Sequence, residues 1–408
     1  MRIYLDHNAG APLRPEVRAG IARFCETQDA NPASIHRGGQ RARRALERAR
    51  AQIAGLIGAS AREVVFTSGG TESNNLAIRG VADLRPARRR IVSSAIEHSS
   101  ILAPLEYLEG RGCEGGFERI EIVRIVPDRD GRIAPATVAA ALDTDTALVT
   151  LALANAEVGT IQDVAAMAER VARTGALFHI DAAQAAGRIP LRVGDLRCDL
   201  LTISGHKLGA PAGIGALYLR NGVTLAPAML GGPQEAGMRG GTPNLLGAVA
   251  FGVAAEAARA HLSEESGRVA VLAERLLERL EAAIPGLRLN GPAVGNGATI
   301  GRIANTLNLT FPDVLGESML IALDLEGVEV SMGSACAAGA VEPSHVLLAM
   351  GLSRDEARSS LRLSLGWSTT EAEIERAAEI IPGVWRRVRE AEPLSATVPE
   401  KPAAEASR

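Results

Sequence analysis

The chain has 408 residues, of which 47% are hydrophobic and 22% charged, with a formal net charge of −3. That length allows a large core, and the apolar share excludes a disordered chain. The near-neutral balance gives no footing for nucleic acid or an anionic membrane as partner. No apolar run approaches the ~20 residues of a bilayer span, and Met1-Arg2-Ile3-Tyr4-Leu5-Asp6 lacks the pattern of an export signal, so the expected location is the cytoplasm.

In chain order, Tyr4 to Pro12 reads as an extended segment and turn, followed by a helix from Pro15 to Phe24. Asn31-Pro32-Ala33-Ser34-Ile35-His36 is a polar loop. Residues 37–57 carry Ala42, Ala45, Leu46, Ala49, Ile53 and Leu56 at helical spacing, and Arg41, Arg43, Arg44, Arg48 and Arg50 are expected on the solvated face of that helix. Glu63 to Thr67 reads as a strand. Ser68-Gly69-Gly70-Thr71-Glu72-Ser73-Asn74-Asn75 then enters a helix. Small residues there expose backbone N–H groups toward an anion, and the loop is neither a dinucleotide fingerprint nor a P-loop, so a single phosphate fits better than a nucleotide. A plain helix cap explains the loop equally well.

Strands follow at Arg90–Ser94, Ile120–Val126, Ala147–Leu153, Leu177–Asp181, Leu200–Ile203 and Gly215–Arg220, alternating with helical patterns. That alternation implies a mostly parallel sheet, in which ligands gather at the carboxyl ends of the strands. His98, Asn155, Asp181 and Lys207 all fall at such ends. Lys207 closes Ser204-Gly205-His206-Lys207. A lysine at the mouth of a buried strand suits amine chemistry, because burial lowers its pKa and a neutral amine can form a Schiff base. An acid such as Asp181 would complete what pyridoxal phosphate requires, a partner for the pyridinium nitrogen. Each residue has a plainer alternative: a surface lysine, an Asp helix cap, a structural histidine.

Beyond Gly231–Asn244, where the many glycines imply close backbone approach or a subunit contact, a helix is expected through roughly 244–260 and a separate one from Arg268 to Ile284. Short strands at Leu287–Leu289, Asn305–Phe311, Val328–Val330 and Ser360–Leu365, interleaved with helices, suit a smaller α+β domain. A last amphipathic helix runs from Glu371 to Glu390. Of four cysteines, Cys25 and Cys198 read as structural, and no spacing suggests a disulfide framework or a metal site. Cys336 lies in Gly333-Ser334-Ala335-Cys336-Ala337-Ala338-Gly339, a small-residue stretch that suits a reactive thiol. Arg362, a charge within an alternating strand, is either a surface residue or a bidentate carboxylate clamp.

With Asn31–His36, Thr67–Asn75, Glu97-His98, Asn155–Gly159, Asp181–Gln184, Ser204–Lys207, Arg239–Thr242 and Gly333–Cys336 in this order, the chain resembles the NifS/IscS-type cysteine desulfurases, class-V aminotransferase-like enzymes of fold type I. The resemblance runs from Tyr4 to about Ile381. It implies an α/β fold: a large pyridoxal phosphate domain (13–260) with a mostly parallel seven-stranded sheet between helices, and a small domain (1–12 and 261–392); the tail (393–408), rich in Pro, Ala, Ser and Glu, reads as disordered from its composition. It implies that Lys207 holds the cofactor, Asp181 its ring nitrogen and Gln184 its ring oxygen. His98 would stack on the ring. Gly70, Thr71, Ser204 and His206 would bind the phosphate, with Thr242 joining from a partner subunit in a homodimer. Asn155 and Arg362 would hold the substrate carboxylate.

Cys336 would take sulfur from L-cysteine as a persulfide, leaving alanine. The sulfur would pass to an iron–sulfur scaffold or another acceptor protein, and Cys336 would serve as an iron–sulfur cluster ligand shared with that scaffold. A nitrogenase-dedicated role and a housekeeping one stay open. So do a selenocysteine lyase, another class-V aminotransferase and a degenerate cofactor-binding protein. Three departures from the family pattern stand out: Asp6-His7-Asn8-Ala9-Gly10-Ala11-Pro12, Leu208–Gly213 after the lysine, and the alanines after Cys336.

Overall fold

The computed structural model describes residues 2–27, 30–111, 119–294, 301–333 and 342–391. Cys113, Cys336 and the expected tail lie outside the described residues. The elements are β1 (Ile3–Tyr4), α1 (Pro15–Thr27), α2 (Arg37–Ile57), β2 (Val64–Thr67), α3 (Gly70–Leu84), β3 (Arg90–Ser94), α4 (Ser99–Arg111), β4 (Glu121–Ile125), α5 (Pro135–Ala141), β5 (Thr146–Ala152), α6 (Val164–Thr174), β6 (Leu177–Asp181), α7 (Val193–Leu196), β7 (Leu200–Ser204) and β8 (Gly215–Leu219). After these come α8 (Leu245–Ala283), β9 (Arg288–Asn290), β10 (Thr306–Thr310), α9 (Gly316–Leu325), β11 (Val328–Glu329), α10 (His345–Ala349), α11 (Arg354–Arg358), β12 (Ser360–Ser364) and α12 (Glu371–Ala391).

Seven strands form one sheet in the order β2-β8-β7-β6-β5-β3-β4. Only β8 runs against its neighbours. These strands are largely apolar because both faces are covered, and the buried His179 of β6 is held by Thr150 and Thr202 on its neighbours. Phe66, Val92, Val149, Phe178 and Leu201 pack on one face against α2, α6 and the first half of α8. Their sequence neighbours Val65, Ile91, Leu148, Leu177 and Leu200 pack on the other face against α3 and α4. A second core gathers the three-stranded sheet β12-β10-β9 and strand β1 with the second half of α8, α9 and α12.

Three expectations change. The helices expected at 244–260 and from Arg268 are one helix, α8, of 39 residues. The polar stretch Ser263-Glu264-Glu265-Ser266-Gly267 looks like a break, yet it contains no proline, and one glycine costs a helix only ~1 kcal/mol. Each half is anchored on a different core: Phe251, Ala254 and Ala258 on the first, Val269, Leu272 and Leu276 on the second. In between, Glu265 takes a two-pronged ion pair from buried Arg14, 2.6 Å on both arms. Among the described residues α8 is the one helix long and apolar enough to cross a bilayer, and half of its most apolar window is buried in the protein.

Cys25 is exposed rather than structural. Helix α1 turns Val17, Gly20, Ile21 and Phe24 inward, and Cys25 sits one position past that stripe. Arg50 leaves the solvated arginine face altogether. It is buried and pairs with Glu235 at 2.7 and 2.8 Å, while Glu235 also accepts the Phe66 N–H. That ion pair docks the glycine-rich segment onto β2. The segment folds back tightly on itself: a Cβ at Gly240 would lie 2.7 Å from the Gly231 Cα, so close backbone approach explains those glycines.

Candidate active site

The carboxyl ends of β2, β3, β5, β6 and β7 open into one cleft enclosing about 1280 Å³ of empty space, open solvent included. Gly70, Thr71, His98, Asn155, Asp181, Gln184, Ser204, His206, Lys207 and Arg362 all line it. Ten expected site residues, scattered over nearly 300 positions, thus converge on one site. Thr242 does not join them: it is exposed in the loop before α8. Cys336, the expected sulfur carrier and cluster ligand, lies outside the described residues. Among the described residues no group of three or more His, Cys, Asp or Glu is placed to hold a metal ion.

At the end of β2 the chain turns through Ser68 and Gly69 into α3, whose first residue is Gly70. A Cβ on Gly215, at the start of β8, would come within 2.6 Å of the Gly69 backbone, so the absent side chain is what lets this turn lie on the sheet. The turn thereby aims the free N–H groups of the α3 N-terminus at the cleft, beside Thr71 and Ser204. Ser204 Oγ lies 2.9 Å from His206 Nδ1. Burial, with Lys207 and His98 nearby, lowers the His206 pKa to about 4, so this imidazole is neutral.

Lys207 ends the 3-10 turn Gly205–Lys207 that follows β7. Its Nζ donates to the carbonyls of Asn8 and, at 2.9 Å, Ala9. The N-terminal segment that departs from the family pattern therefore supplies the acceptors for this amine. Burial first, then the Arg188 and Arg362 cations, lower the Lys207 pKa from 10.5 to about 8, against the opposing pull of Asp6 and Asp181. Asp181 ends β6. Its carboxylate accepts from Asn74 Nδ2 at 2.8 Å and from the Ala183 N–H at 2.9 Å. The Gln184 amide is held at both ends: Nε2 donates to Asn8 O at 3.0 Å and Oε1 accepts from Arg188.

The two expected carboxylate binders are already engaged. Arg362, on β12, pairs with Asp6 at 2.8 Å and donates to Ala156 O at 3.3 Å. Its buried Nε has no hydrogen-bond partner among the described residues. Asn155 Oδ1 accepts the Glu157 and Val158 N–H groups, and Nδ2 donates to Ile96 O, which leaves one amide hydrogen for a ligand.

Sequence reasoning missed Asp6, Asn8, Asn74, Glu97 and Arg188. Asn74 stood within a motif already noted, but nothing in its spacing pointed to Asp181. Glu97 is fully buried beneath the site, accepting from Ser94 Oγ at 2.5 Å and from the Ala152 N–H at 2.8 Å. Burial pushes its carboxyl up to about 8.

The arrangement fits pyridoxal phosphate: a buried amine made easy to deprotonate, a carboxylate on the same cleft, and an open helix N-terminus with Ser204 and Thr71 beside it for the phosphate. Comparison with known proteins agrees. The class-V aminotransferase family model matches residues 3–377. The chain is 40% identical over 392 residues to cysteine desulfurase IscS of Dictyoglomus turgidum, covering 96% of both chains. Among solved structures it superposes on a NifS-like protein with a TM-score of 0.86 and 32% identity, covering 95% of this chain and all of the other. It also superposes on SspA in complex with cysteine with a TM-score of 0.78 and 33% identity, covering 90% and 99%. The chain therefore belongs to the class-V aminotransferase family, among its pyridoxal phosphate-dependent cysteine desulfurases.

Proposed function

We propose that the protein converts L-cysteine to L-alanine and carries the released sulfur as a persulfide on Cys336. The observation that supports this reading is the convergence of Lys207, Asp181 and His98 from three separate strand ends on one cleft that Arg362 also lines. Bound pyridoxal phosphate supplies an electron sink for charge developing at the substrate Cα. Lys207 would hold the cofactor aldehyde, and its amine would move the substrate Cα proton. Asp181 would keep the ring nitrogen protonated, Gln184 would hold the ring oxygen, and His98 would cover the ring face. Gly70, Thr71, Ser204 and His206 bind the phosphate, joined by Thr242 of the partner subunit in a homodimer. Arg362 and Asn155 orient the substrate carboxylate.

In the sulfur step the Cys336 thiolate attacks the substrate sulfur. The S–S bond forms, the carbon–sulfur bond breaks with its electron pair left on the carbon side, and protonation of that carbon gives alanine. One cysteine and one thiol thus become one alanine and one persulfide. The persulfide sulfur passes in the cytoplasm to an acceptor protein, an iron–sulfur scaffold being the proposed one, with Cys336 as a cluster ligand shared in that complex.

The test is to incubate purified protein with L-cysteine and a thiol reductant and to quantify alanine and sulfide. Both products are expected in equal amounts, with both lost in Cys336→Ala. Alanine formation that survives Cys336→Ala, or transamination with keto acids in its place, would overturn the reading in favour of an aminotransferase. A wide preference for selenocysteine would reassign it as a lyase of that substrate.

A further inference from the structure

Between Asp181 and His98 runs a chain of hydrogen bonds through two residues with no role in the scheme above. Asn74 Nδ2 donates both to Asp181 Oδ2 and to Ser100 Oγ, each at 2.8 Å. Ser100 Oγ lies 2.8 Å from His98 Nδ1, and the Ser100 backbone N–H donates to the same Nδ1 at 3.1 Å. Asn74, Ser100 and Asp181 are all buried.

The direction of every bond in this chain follows from its two ends. A carboxylate only accepts, so the Asn74 amide must turn its NH2 to Asp181; the flipped amide would set Oδ1 against the carboxylate. The orientation is kept even though Oδ1 has no hydrogen-bond partner among the described residues, which is a cost for a buried acceptor. The second Asn74 hydrogen then goes to Ser100 Oγ, which leaves the hydroxyl proton free to point at His98. At the far end a backbone N–H can only donate, so Nδ1 must be bare. Both ends therefore require the same state of the ring.

We propose that Asn74 and Ser100 are positioning residues that tie His98 to Asp181 and hold the imidazole neutral with its proton on Nε2, so that His98 offers the site an Nε2–H hydrogen-bond donor and no basic nitrogen. Three surroundings agree. Burial, then Lys207 after β7 and His345 on α10, all lower the His98 pKa, with Asp181 opposing; His206 shares the same side of the cleft and is itself neutral. His345 is turned by its own bond to the Glu97 carbonyl, Nε2 to O 3.0 Å. Imidazolium formation would need a proton on Nδ1, where two donors already point.

The inference rests on the proposed function for its catalytic meaning, but its test needs no turnover. Holoenzyme labelled with ¹⁵N-histidine is titrated by NMR without substrate, with the His98 signals assigned by their loss in His98→Gln. In the wild type Nδ1 is expected in the unprotonated range and Nε2 in the protonated range at neutral pH. Ser100→Ala removes one donor to Nδ1 and should raise the His98 midpoint by about 0.5–1 pH unit, the effect of one hydrogen bond. Ser100→Thr should restore the wild-type midpoint, and Asn74→Ala, which frees the Ser100 hydroxyl to turn, should raise it by a smaller amount. A proton on Nδ1 in the wild type overturns the proposal without any variant. An unchanged midpoint in folded, cofactor-loaded Ser100→Ala and Asn74→Ala overturns it as well and leaves both as packing residues. The expected tautomer in a protein that makes no alanine would sink only the desulfurase reading.

Discussion

Two regions of this molecule bury polar side chains, and they do so in opposite ways. In the three-stranded sheet Asn290 donates to Asn308 Oδ1 at 2.8 Å and to Thr310 Oγ1 at 2.9 Å, while Thr310 and Ser360 share a hydroxyl contact of 2.8 Å. The residues are cross-strand neighbours, so the register brings amide to amide and hydroxyl to hydroxyl. All are neutral, and they bond mostly to one another; the bonds that leave the group go to backbone carbonyls, Asn308 Nδ2 to Glu157 O at 3.4 Å and Ser360 Oγ to Glu356 O at 2.7 Å. At the carboxyl edge of the seven-stranded sheet the buried groups are titratable. Lys207 comes down to about 8, Glu97 goes up to about 8 and His206 down to about 4, with burial the leading cause each time. A satisfied neutral network rigidifies a core, whereas desolvated ionisable groups held around a cleft keep protons ready to move.

The largest effect expected from testing that contrast is at Lys207. Lys207→Ala should lower alanine production by at least about 10³-fold, the scale of a lost proton-transfer group, and abolish the absorbance of covalently held cofactor. The wild-type amine sharpens the point. Its protonated form cannot attack an aldehyde, so uptake of pyridoxal phosphate by apoprotein should accelerate as pH rises through about 8. An uptake rate flat from pH 6.5 to 9 would mean that burial does not set this amine.

Glu97 comes next. The folded chain keeps a proton up to about pH 8 that the unfolded chain releases near 4.5, so stability is full below 4.5 and declines as pH rises to about 8. Glu97→Gln can keep both bonds and removes that decline. Between pH 6 and 8 the variant should gain up to about 2–3 kcal/mol on the wild type in denaturant titrations. Parallel curves for the two proteins would contradict the assignment.

The smallest expected effect is at Asn290. Asn290→Ala leaves Asn308 and Thr310 short of a donor and should cost about 1–3 kcal/mol of stability, with kcat/KM of the folded fraction within about twofold of wild type. A larger loss of activity would mean that the neutral network reaches the site and that the two regions are not distinct.

Much of this molecule is legible in its sequence. The strands of the large sheet announce themselves because a sheet covered on both faces is built from mostly apolar runs, and α2 is bounded as its periodicity implies. The motifs at the strand ends were also legible, since the carboxyl edge of a parallel sheet is where short polar turns gather. What misled were signals that local composition carries poorly. The polar stretch near Gly267 looked like a break because the two cores that hold α8 straight are remote in sequence. Arg50 looked solvated because its partner, Glu235, is 185 positions away. Cys25 looked packed because one position of helical phase separates a buried face from an exposed one.

The sequence by itself determined the alternating α/β order, the amine, acid and imidazole at separate strand ends, and the family whose motifs they spell. Only the tertiary structure decided what surrounds those groups. It set the Asn8 and Ala9 carbonyls against the Lys207 amine, Asp6 against Arg362, Glu97 beneath the cleft, and Asn74 between Asp181 and Ser100. The physical reason is that ionisation and orientation depend on solvent exclusion and on neighbours a few ångströms away, and in this fold most of those neighbours are brought in from distant segments of the chain.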